Sequence, residues 1–203
     1  MTIVSFCPLH TFHQMTTTLS KQIAVENSHK GWVAGQHVLL RVFFSGRVFE
    51  SHPLSIINAP ASHSVLSSSH SDGQLVLGAR VVGDWTRALN TLARMSDAEI
   101  SGPFVEEGGT RREPEPEPKR VMVMIDGPYG GMSFDLGRYE NVLLFAGGAG
   151  VTFTMGVLDD IIGRVVRLKR RDGERTRRIE FAWCVKSFGE KSPISRLFLI
   201  LRS

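Results

Sequence analysis

One junction limits the possible folds of this chain most strongly: the apolar run from Asn141 to Ala146 leads directly into the glycine-rich turn Gly147-Gly148-Ala149-Gly150. A continuous apolar run is typical of a strand that is buried on both faces. The turn is followed by a helical pattern from Val151 to Arg164, and then by a strand-like run from Ile179 to Val185. Strand, turn, helix and strand form a βαβ unit, which predicts a parallel α/β domain for the last third of the chain.

The first half of the chain has the shorter repeat of an antiparallel sheet. Between Ile23 and Gly83, short apolar stretches alternate with turn signals. A helix with Trp85, Leu89 and Leu92 on one face follows. Strands this short and this closely spaced favour an antiparallel β-barrel. The predicted strands are residues 37–44, 47–50, 54–57 and 74–82.

Two segments have the composition of loops inserted between strands. Residues 59–73 are rich in Ser, Pro and His, and residues 106–120 contain an alternating Glu-Pro repeat that prevents helix and ladder hydrogen bonds. The period of the apolar pattern changes at the run that begins at Asn141, and the domain boundary is placed near Met132 to Arg138. We therefore expect a barrel domain over residues 1–135 and an α/β domain over residues 136–203.

Charge and composition exclude several classes of protein. The 203 residues carry a formal net charge of +4, but residues 164–178 alone hold eight Arg or Lys and two acidic residues. The remainder is slightly acidic, so the chain is not a uniformly basic nucleic-acid binder. The 2 cysteines provide no disulfide framework or metal spacing and fit a reducing, cytosolic setting. No apolar run approaches the roughly 18 residues that a membrane span requires.

The glycine turn has the residues that the diphosphate of a dinucleotide requires. Glycines let the phosphates approach the backbone, and the free N–H groups of the helix N-terminus favour an anion. A tight strand-to-helix turn without a ligand is the alternative interpretation, and a P-loop is disfavoured because no Gly-Lys-Ser/Thr follows. The candidate contacts are Gly147, Gly148, Gly150, Val151 and Thr152.

Three further motifs carry weaker signals. In His52-Pro53-Leu54-Ser55, the proline holds a strand segment open at an edge, where a hydroxyl can face a flat ring, although a loop proline is the simpler interpretation. Arg80 precedes a helix start at Gly83 to Thr86, which suits a phosphate and equally suits a capped helix with an exposed arginine. Gly127-Pro128-Tyr129-Gly130 follows a strand and by itself is a β-turn.

The order of these four motifs resembles that of the ferredoxin–NADP reductase superfamily, and more narrowly that of the ferric-chelate reductases and NADPH oxidases. The motifs are His-Pro-x-Ser, Arg-x-x-Gly-Asp-Trp-Thr, Gly-Pro-Tyr-Gly and Gly-Gly-Ala-Gly-Val-Thr, with Gly35-Gln36-His37 upstream. The resemblance covers Val25 to Ser187. It implies an antiparallel flavin-binding β-barrel followed by a Rossmann-like parallel α/β domain that binds the nucleotide.

The resemblance also implies roles for individual residues. The isoalloxazine of FAD would be flanked by His52, Pro53, Leu54 and Ser55, with Ser55 as the catalytic contact near N5 and Leu54 in place of a common aromatic residue. The FAD pyrophosphate would be held by Arg80, Gly83, Asp84, Trp85 and Thr86. The nicotinamide would be bordered by Gly127, Pro128, Tyr129 and Gly130, and the NADPH diphosphate would lie in the glycine turn. Lys186 would lie near the 2′-phosphate and favours NADPH over NADH.

The activity implied by the resemblance is hydride transfer from NADPH to FAD. Single electrons would then pass to haems in a transmembrane domain and on to ferric iron or dioxygen, which would place the chain at the cytoplasmic face of a membrane. The haem-bearing helices and the later strands of the nucleotide domain would lie outside these 203 residues. We therefore expect a chain that is truncated at its C-terminal end, with two strands of the nucleotide domain.

Three alternatives stay open. The chain could be a soluble NAD(P)H:acceptor flavin reductase, or a truncated flavin-binding module without turnover. The basic segment Arg164 to Arg178 could also contact anionic lipid, although such a run is usually a solvated loop.

Overall fold

The computed structural model describes residues 2–7, 21–25, 31–44, 46–66, 74–99, 120–171, 173–185 and 195–202. In chain order, the elements are β1 (Thr2–Cys7), β2 (Lys21–Val25), β3 (Gln36–Val42), β4 (His52–Ser55), β5 (Leu75–Ala79), α1 (Asp84–Glu99), β6 (Arg120–Gly130), β7 (Asn141–Gly147), α2 (Val151–Val166), β8 (Arg178–Val185) and β9 (Ser195–Arg202). Two single-turn 3-10 helices, Leu136–Arg138 and Gly148–Gly150, precede β7 and α2. No helix within these ranges is long and apolar enough to cross a lipid bilayer.

The first six strands form one antiparallel sheet in the order β4-β3-β6-β1-β2-β5. A bridge between Ile56 and Leu77 joins the two edges of this sheet, so the sheet closes into a barrel. Alternate residues such as Val38 and Leu40 fill the interior, and α1 adds Trp85 to the same core. The antiparallel barrel predicted from the sequence is therefore confirmed.

One predicted strand is a pair of turns. In residues 47–50, the amide of Arg47 donates to the carbonyl of Phe44 at 3.2 Å, and the amide of Glu50 donates to the carbonyl of Arg47 at 3.1 Å. An ion pair between Arg47 and Glu50 at 2.9 Å closes the second turn. The strand prediction was wrong because local hydrogen bonds and this ion pair outweighed the short apolar run, whose Phe49 is exposed.

The segment after β4 is only partly the surface loop that composition predicted. Of the predicted loop 59–73, residues 59–66 are described, and Ala59 and Ser64 are completely buried. The amide of Ser64 donates to the carbonyl of Pro60 at 2.9 Å, which holds the segment in a compact turn. Residues 59–66 contain no helix or strand, as expected for a loop. Their surface position was predicted wrongly because composition does not reveal a packing partner, and α2 is that partner. Residues 67–73 and 106–119 of the two predicted insertions lie outside the described residues.

The second sheet consists of β7, β8 and β9, in that order. β7 and β8 are parallel, as the βαβ unit requires, and α2 packs Val157 and Ile161 against one face of the sheet. β9 pairs with β8 in the antiparallel sense, so the described residues contain three strands in this sheet where the sequence predicted two. The chain therefore combines an antiparallel barrel with a parallel βαβ unit, which confirms the predicted fold class.

β7 is buried on one face only. Val142, Leu144 and Ala146 face α2 and are buried, whereas Leu143 and Phe145 are each 67% exposed. The prediction that both faces are buried was wrong for the described residues, because α2 covers one face and no described element covers the other.

Candidate functional site

The glycine turn lies between β7 and α2, where the sequence predicted it. Gly148 has a left-handed backbone with φ 50°, a conformation that favours glycine. The indole Nε1 of Trp183, on β8, donates a hydrogen bond of 3.0 Å to the carbonyl oxygen of Gly148. The turn is therefore tied to the neighbouring strand as well as to the strand that precedes it.

The N-terminus of α2 opens onto this turn. The N-cap residue is Gly150, which has no side chain to accept from the first N–H groups of the helix. The hydroxyl of Thr152 donates to the carbonyl of Ala149 at 3.0 Å. A Cβ atom added to Gly147 or Gly150 would meet no described atom within 4 Å, so the space beside the turn is open. The first N–H groups of α2 are therefore uncapped and lie next to open space, where they can donate to the oxygens of a diphosphate.

Arg80 lies beside the same turn. Its Nη1 atom is 3.8 Å from the position that a Cβ atom on Gly148 would occupy. The resemblance had implied a role for Arg80 at the FAD pyrophosphate, whereas the structure brings its guanidinium to the predicted NADPH diphosphate site. A guanidinium and a helix N-terminus together form a site suited to phosphate oxygens.

The start of α1 is a self-contained turn. The hydroxyl oxygen of Thr86 accepts from the amides of Val82 and Gly83 at 3.1 and 3.0 Å and donates to the carbonyl of Gly83 at 2.9 Å. Asp84 forms an exposed ion pair of 2.8 Å with Arg87. The predicted helix start is thus confirmed, but the hydroxyl of Thr86 already occupies the amide of Gly83, which belongs to the predicted phosphate site.

His52 and Trp85 come from two different motifs and meet in the barrel. Their rings stack with centroids 4.2 Å apart and an angle of 29° between the planes. Trp85 is buried in the barrel core with its Nε1 lacking a hydrogen-bond partner among the described residues. Leu54 belongs to the same core and lies opposite Val38 in the register of β4 and β3. Trp85 and Leu54 therefore support the barrel from inside.

A row of polar side chains crosses the barrel on the opposite face of these strands. Ser55 of β4 lies directly opposite His37 of β3, and His37 lies directly opposite Tyr129 of β6. Directly opposed residues project from the same face of a sheet. The rings of His37 and Tyr129 are 6.1 Å apart between centroids. We call Ser55, His37 and Tyr129 the barrel row; Pro53, two residues before Ser55, projects from the same face as the row.

The Gly127 to Gly130 motif is the end of β6 and not a separate β-turn. The Gly127–Pro128 peptide is cis, and the register of β3 against β6 shifts between His37 and Leu39. The side-chain amide of Gln36 donates to the carbonyl of Gly130 at 3.1 Å, which keeps the motif paired with β3. The motif therefore borders the barrel row directly.

Within the barrel row, the hydroxyl of Tyr129 is bound to a neighbouring carboxylate. Its hydroxyl donates a hydrogen bond of 2.7 Å to the Asp126 carboxylate. This hydrogen bond raises the pKa of Tyr129 above its ordinary value, because loss of the phenolic proton would leave two oxygens of like charge side by side.

The barrel row and the glycine turn belong to one contiguous region. A Cβ atom on Gly35, immediately before β3, would lie 2.7 Å from Cε2 of Phe153 in the first turn of α2. A Cβ atom on Gly156, one turn later, would lie 2.7 Å from the carbonyl oxygen of Ile56, the residue after Ser55. The end of β4 and the beginning of α2 are therefore in direct contact.

Sequence reasoning missed three residues of this region. His37 was noted only as part of an upstream turn signal, and its position in the barrel row depends on strand register. Trp183 and Phe153 carry no local motif, because their contacts with Gly148 and Gly35 join distant parts of the chain. Lys186 lies outside the described residues.

Two family models match the chain. The model described as an FAD-binding domain matches residues 14–133, and the model described as a ferric reductase NAD binding domain matches residues 139–198. The first match alone covers more than half of the chain, and the two matches follow one another in the order of the barrel and the α/β unit.

Two curated relatives from Arabidopsis thaliana show the same relationship. The chain is 32% identical to respiratory burst oxidase homolog protein D over 157 residues, which cover 70% of this chain and 15% of that protein. It is 30% identical to the chloroplastic ferric reduction oxidase 7 over 149 residues, which cover 72% of this chain and 17% of that protein. The chain therefore spans less than a fifth of the length of these relatives.

Solved structures with a similar arrangement include a ferredoxin NADP+ reductase from Neisseria gonorrhoeae with bound FAD and NADP. That match has a TM-score of 0.42 and 14% identity and covers 78% of this chain and 49% of the other. A flavohemoglobin from Malassezia yamatoensis with bound FAD and heme has a TM-score of 0.47 and 11% identity and covers 89% of this chain and 44% of the other. Neither likeness adds to what the strand order and the family models establish.

Proposed function

Because this chain belongs to the ferric reductase and NADPH oxidase family and carries its FAD-binding and NAD(P)-binding domains, we propose that it transfers hydride from NADPH to FAD. The observation that carries the proposal is the contact between the end of β4, at Ser55, and α2, which begins at the glycine turn. The carbonyl of Ile56 lies against the backbone of Gly156. Two cofactors bound at these neighbouring places would meet over a short distance, as hydride transfer requires.

On the barrel, the face that carries the barrel row is the best support for a flavin ring. FAD supplies the chemistry of accepting a hydride, and the protein positions the ring. The Ser55 hydroxyl, at the end of β4, would form a hydrogen bond at the N5 edge. His37 and Tyr129 extend this face across β3 and β6 and provide aromatic surface for the ring. Leu54 provides no such surface, because its side chain belongs to the barrel core.

On the α/β side, the glycine turn would hold the NADPH diphosphate. The open space beside Gly147 and Gly150 admits the phosphates, and the N–H groups at the start of α2 would donate to their oxygens. The Arg80 guanidinium would neutralise part of their charge, since it lies beside Gly148. Preference for NADPH over NADH stays a prediction that rests on Lys186.

We further propose that electrons leave FAD for haem in a transmembrane domain of the full-length protein and reach ferric iron or dioxygen. The support is family membership: the relatives bear the names of respiratory burst oxidases and of a ferric reduction oxidase. Such a protein would hold this chain at the cytoplasmic face of the membrane.

An absorbance spectrum of the purified chain with FAD, recorded without oxygen before and after NADPH, tests the hydride step. We expect NADPH to bleach the flavin bands and NADH to bleach them more slowly. Ser55→Ala should slow the bleaching at least tenfold while FAD stays bound, because one hydrogen bond to the reacting ring is lost. The matched control Ser51→Ala, an exposed serine before β4, should behave like the wild-type chain.

One outcome would contradict the hydride proposal itself, and two others would contradict the role of Ser55 and the link to a haem domain. Bound flavin that NADPH does not bleach would favour the alternative of a flavin-binding module without turnover. Equal bleaching rates for Ser55→Ala and Ser51→Ala would remove Ser55 from the reaction. A full-length gene product that lacks haem-binding helices would favour the soluble reductase.

A second candidate role is contact of the basic segment with anionic lipid. Glu174, an acidic residue of this segment, is turned inward and pairs with Arg164 at 3.3 Å, so it does not offset the outward charge. Val166 is exposed beside these cations and adds an apolar contact. Positive charge of this density near an anionic surface contributes about 1 kcal/mol per residue. The exposed cations are Arg167, Lys169, Arg171, Arg175, Arg177 and Arg178, of which Arg178 pairs with Glu180.

Pelleting with vesicles of mixed neutral and anionic lipid tests this second role. The double substitution Lys169→Ala with Arg171→Ala should weaken binding about tenfold or more. The matched control, Arg47→Ala with Arg87→Ala, removes the same net charge elsewhere and should leave binding within about twofold. Absence of pelleting at low salt, or equal loss in both double variants, would exclude a lipid-binding role for the segment.

A further inference from the structure

Asp159 lies in the third turn of α2 and is only 2% exposed. Among the residues that the structure describes, its carboxylate accepts four hydrogen bonds, and all four donors belong to the segment that follows β4. Oδ2 accepts from the amide of Ala59 at 2.7 Å and from the hydroxyl of Ser64 at 2.5 Å. Oδ1 accepts from the amides of Val65 and Leu66 at 2.8 and 3.0 Å. A carboxylate is an acceptor with no donor of its own, so a ring of four donors matches it fully.

The neighbouring residues strengthen the same contact. Asp160 accepts from His63 Nε2 at 2.8 Å and pairs with Arg164 at 2.9 Å. On the same face of α2, Gly163 faces the backbone of His63 so closely that a Cβ atom there would collide with the carbonyl oxygen of His63. The segment therefore lies directly on the helix backbone. We call residues 59–66 together with Asp159, Asp160 and Gly163 the clasp.

The clasp joins the two halves of the proposed site. Its barrel side begins at Ala59, four residues after Ser55, and its helix side lies on the same rigid helix as the glycine turn. A helix transmits a displacement at one turn to its ends, since its backbone hydrogen bonds keep it stiff. The distance between Ser55 and the glycine turn is therefore set by contacts of the clasp as well as by Gly156.

We propose that Asp159 is a positioning residue that holds the glycine turn at the distance from Ser55 that hydride transfer requires. The inference rests on the proposed function. Asp159 touches neither cofactor site; it acts through the segment 59–66 and through α2. Loss of its charge and of its acceptor atoms would loosen the fit of the two domains while each cofactor keeps its own contacts.

The test compares Asp159→Asn with Ser64→Ala and Ile161→Val in the FAD-loaded chain. In Asp159→Asn, the new amide N–H₂ faces backbone donors, so we expect flavin reduction at saturating NADPH to slow ten- to a hundredfold. The KM for NADPH should stay within about threefold and FAD affinity within about twofold, because neither binding site is altered. Ser64→Ala removes one donor of four and should slow reduction about threefold, as a milder variant that keeps the fold.

Ile161→Val is the matched control for a merely structural effect. Ile161 is completely buried and belongs to the cluster that α2 forms with residues of β7 and β8, and it projects from a different side of α2 than Asp159. Its substitution should lower the thermal midpoint and leave the reduction rate within about twofold. A reduction rate in Asp159→Asn equal to that of the wild-type chain, or a loss in Ile161→Val as large as in Asp159→Asn, would overturn the proposal.

Hydrogen exchange separates failure of the clasp from failure of the proposed function. The amides of Val65 and Leu66 should exchange slowly in the wild-type chain and at least tenfold faster in Asp159→Asn. The amide of Ile57, which donates to Val76 within the barrel at 2.9 Å, should not change. If NADPH does not bleach the wild-type flavin, the proposed function fails, and the exchange at Val65 and Leu66 still decides whether the clasp exists. Fast exchange at both amides in the wild-type chain would overturn it.

Discussion

Replacing Trp183 by Phe tests whether β8 holds the glycine turn in its binding conformation. The indole is 4% exposed, so a phenyl ring keeps most of the buried apolar contact and loses the Nε1 donor. That donor makes the 3.0 Å hydrogen bond to the Gly148 carbonyl. A lost hydrogen bond costs about 1 kcal/mol, and a carbonyl left without its partner raises the cost to about 1–3 kcal/mol.

The cost should appear in nucleotide binding as well as in stability. Gly148 has a left-handed backbone conformation that this hydrogen bond stabilises. When the hydrogen bond is lost, part of the free energy of NADPH binding is used to return the turn to this conformation. Since 1.4 kcal/mol corresponds to a factor of ten, we expect the Kd for NADPH to rise about three- to tenfold. The free energy of unfolding in urea should fall by about 1–2 kcal/mol. Calorimetric titration with NADPH and urea denaturation measure the two quantities, and FAD affinity should not change.

Trp32→Phe is a closely matched control. Trp32 is buried, and its Nε1 donates a hydrogen bond of the same length, 3.0 Å, to the carbonyl of Asn58 in the barrel. It should lower stability by a similar amount and leave the Kd for NADPH within about twofold. Unchanged NADPH binding in Trp183→Phe, or equal weakening in both variants, would show that the hydrogen bond to Gly148 does not hold the turn for the nucleotide.

Two further predictions concern stability. The hydrogen bond from Arg164 holds the pKa of Asp135 below its usual value, so the ionised carboxylate stabilises the fold above about pH 4 and this contribution is lost as pH falls through the lowered pKa. Asp135→Asn should therefore flatten the acid-denaturation curve below about pH 4, and an unchanged slope would contradict this assignment. In urea denaturation, Leu144→Ala should cost about 2–5 kcal/mol and Leu143→Ala less than about 0.5 kcal/mol, since only Leu144 is buried; similar losses would show that the outer face of β7 is covered.

The parts of the site that the sequence predicted are those that short segments determine. The glycine turn and the start of α2 were predicted correctly because a change of apolar period and a cluster of glycines lie within a few residues. One local feature was nevertheless missed. Residues 47–50 have a weak strand signal, but a local ion pair between Arg47 and Glu50 stabilises two consecutive turns after β3 instead.

The parts that the sequence did not predict depend on contacts between distant segments. The barrel row requires the register of three strands, and Tyr129 of β6 is more than seventy residues from Ser55 of β4 along the chain. The stacking of His52 on Trp85 and the hydrogen bond from Trp183 to Gly148 join residues whose own neighbourhoods give no signal. The exposure of Leu143 and Phe145 depends on which elements cover the sheet, and an apolar run by itself cannot show this.

The clasp did leave a sequence signal, and helix geometry explains why it was overlooked. Gly156, Asp159, Asp160 and Gly163 follow the spacing i, i+3, i+4 and i+7, so they share one face of α2. The helical pattern predicted from Val151 to Arg164 rests on the apolar residues of α2 that pack with β7 and β8, and these residues mask the narrower stripe. Two glycines and two carboxylates are poor choices for the interior of a helix that only needs to cover a sheet, because glycine lowers helix stability and a buried carboxylate requires partners. Their occurrence at one spacing therefore indicates a second packing partner, close enough to exclude side chains and rich in backbone donors, which is what residues 59–66 provide.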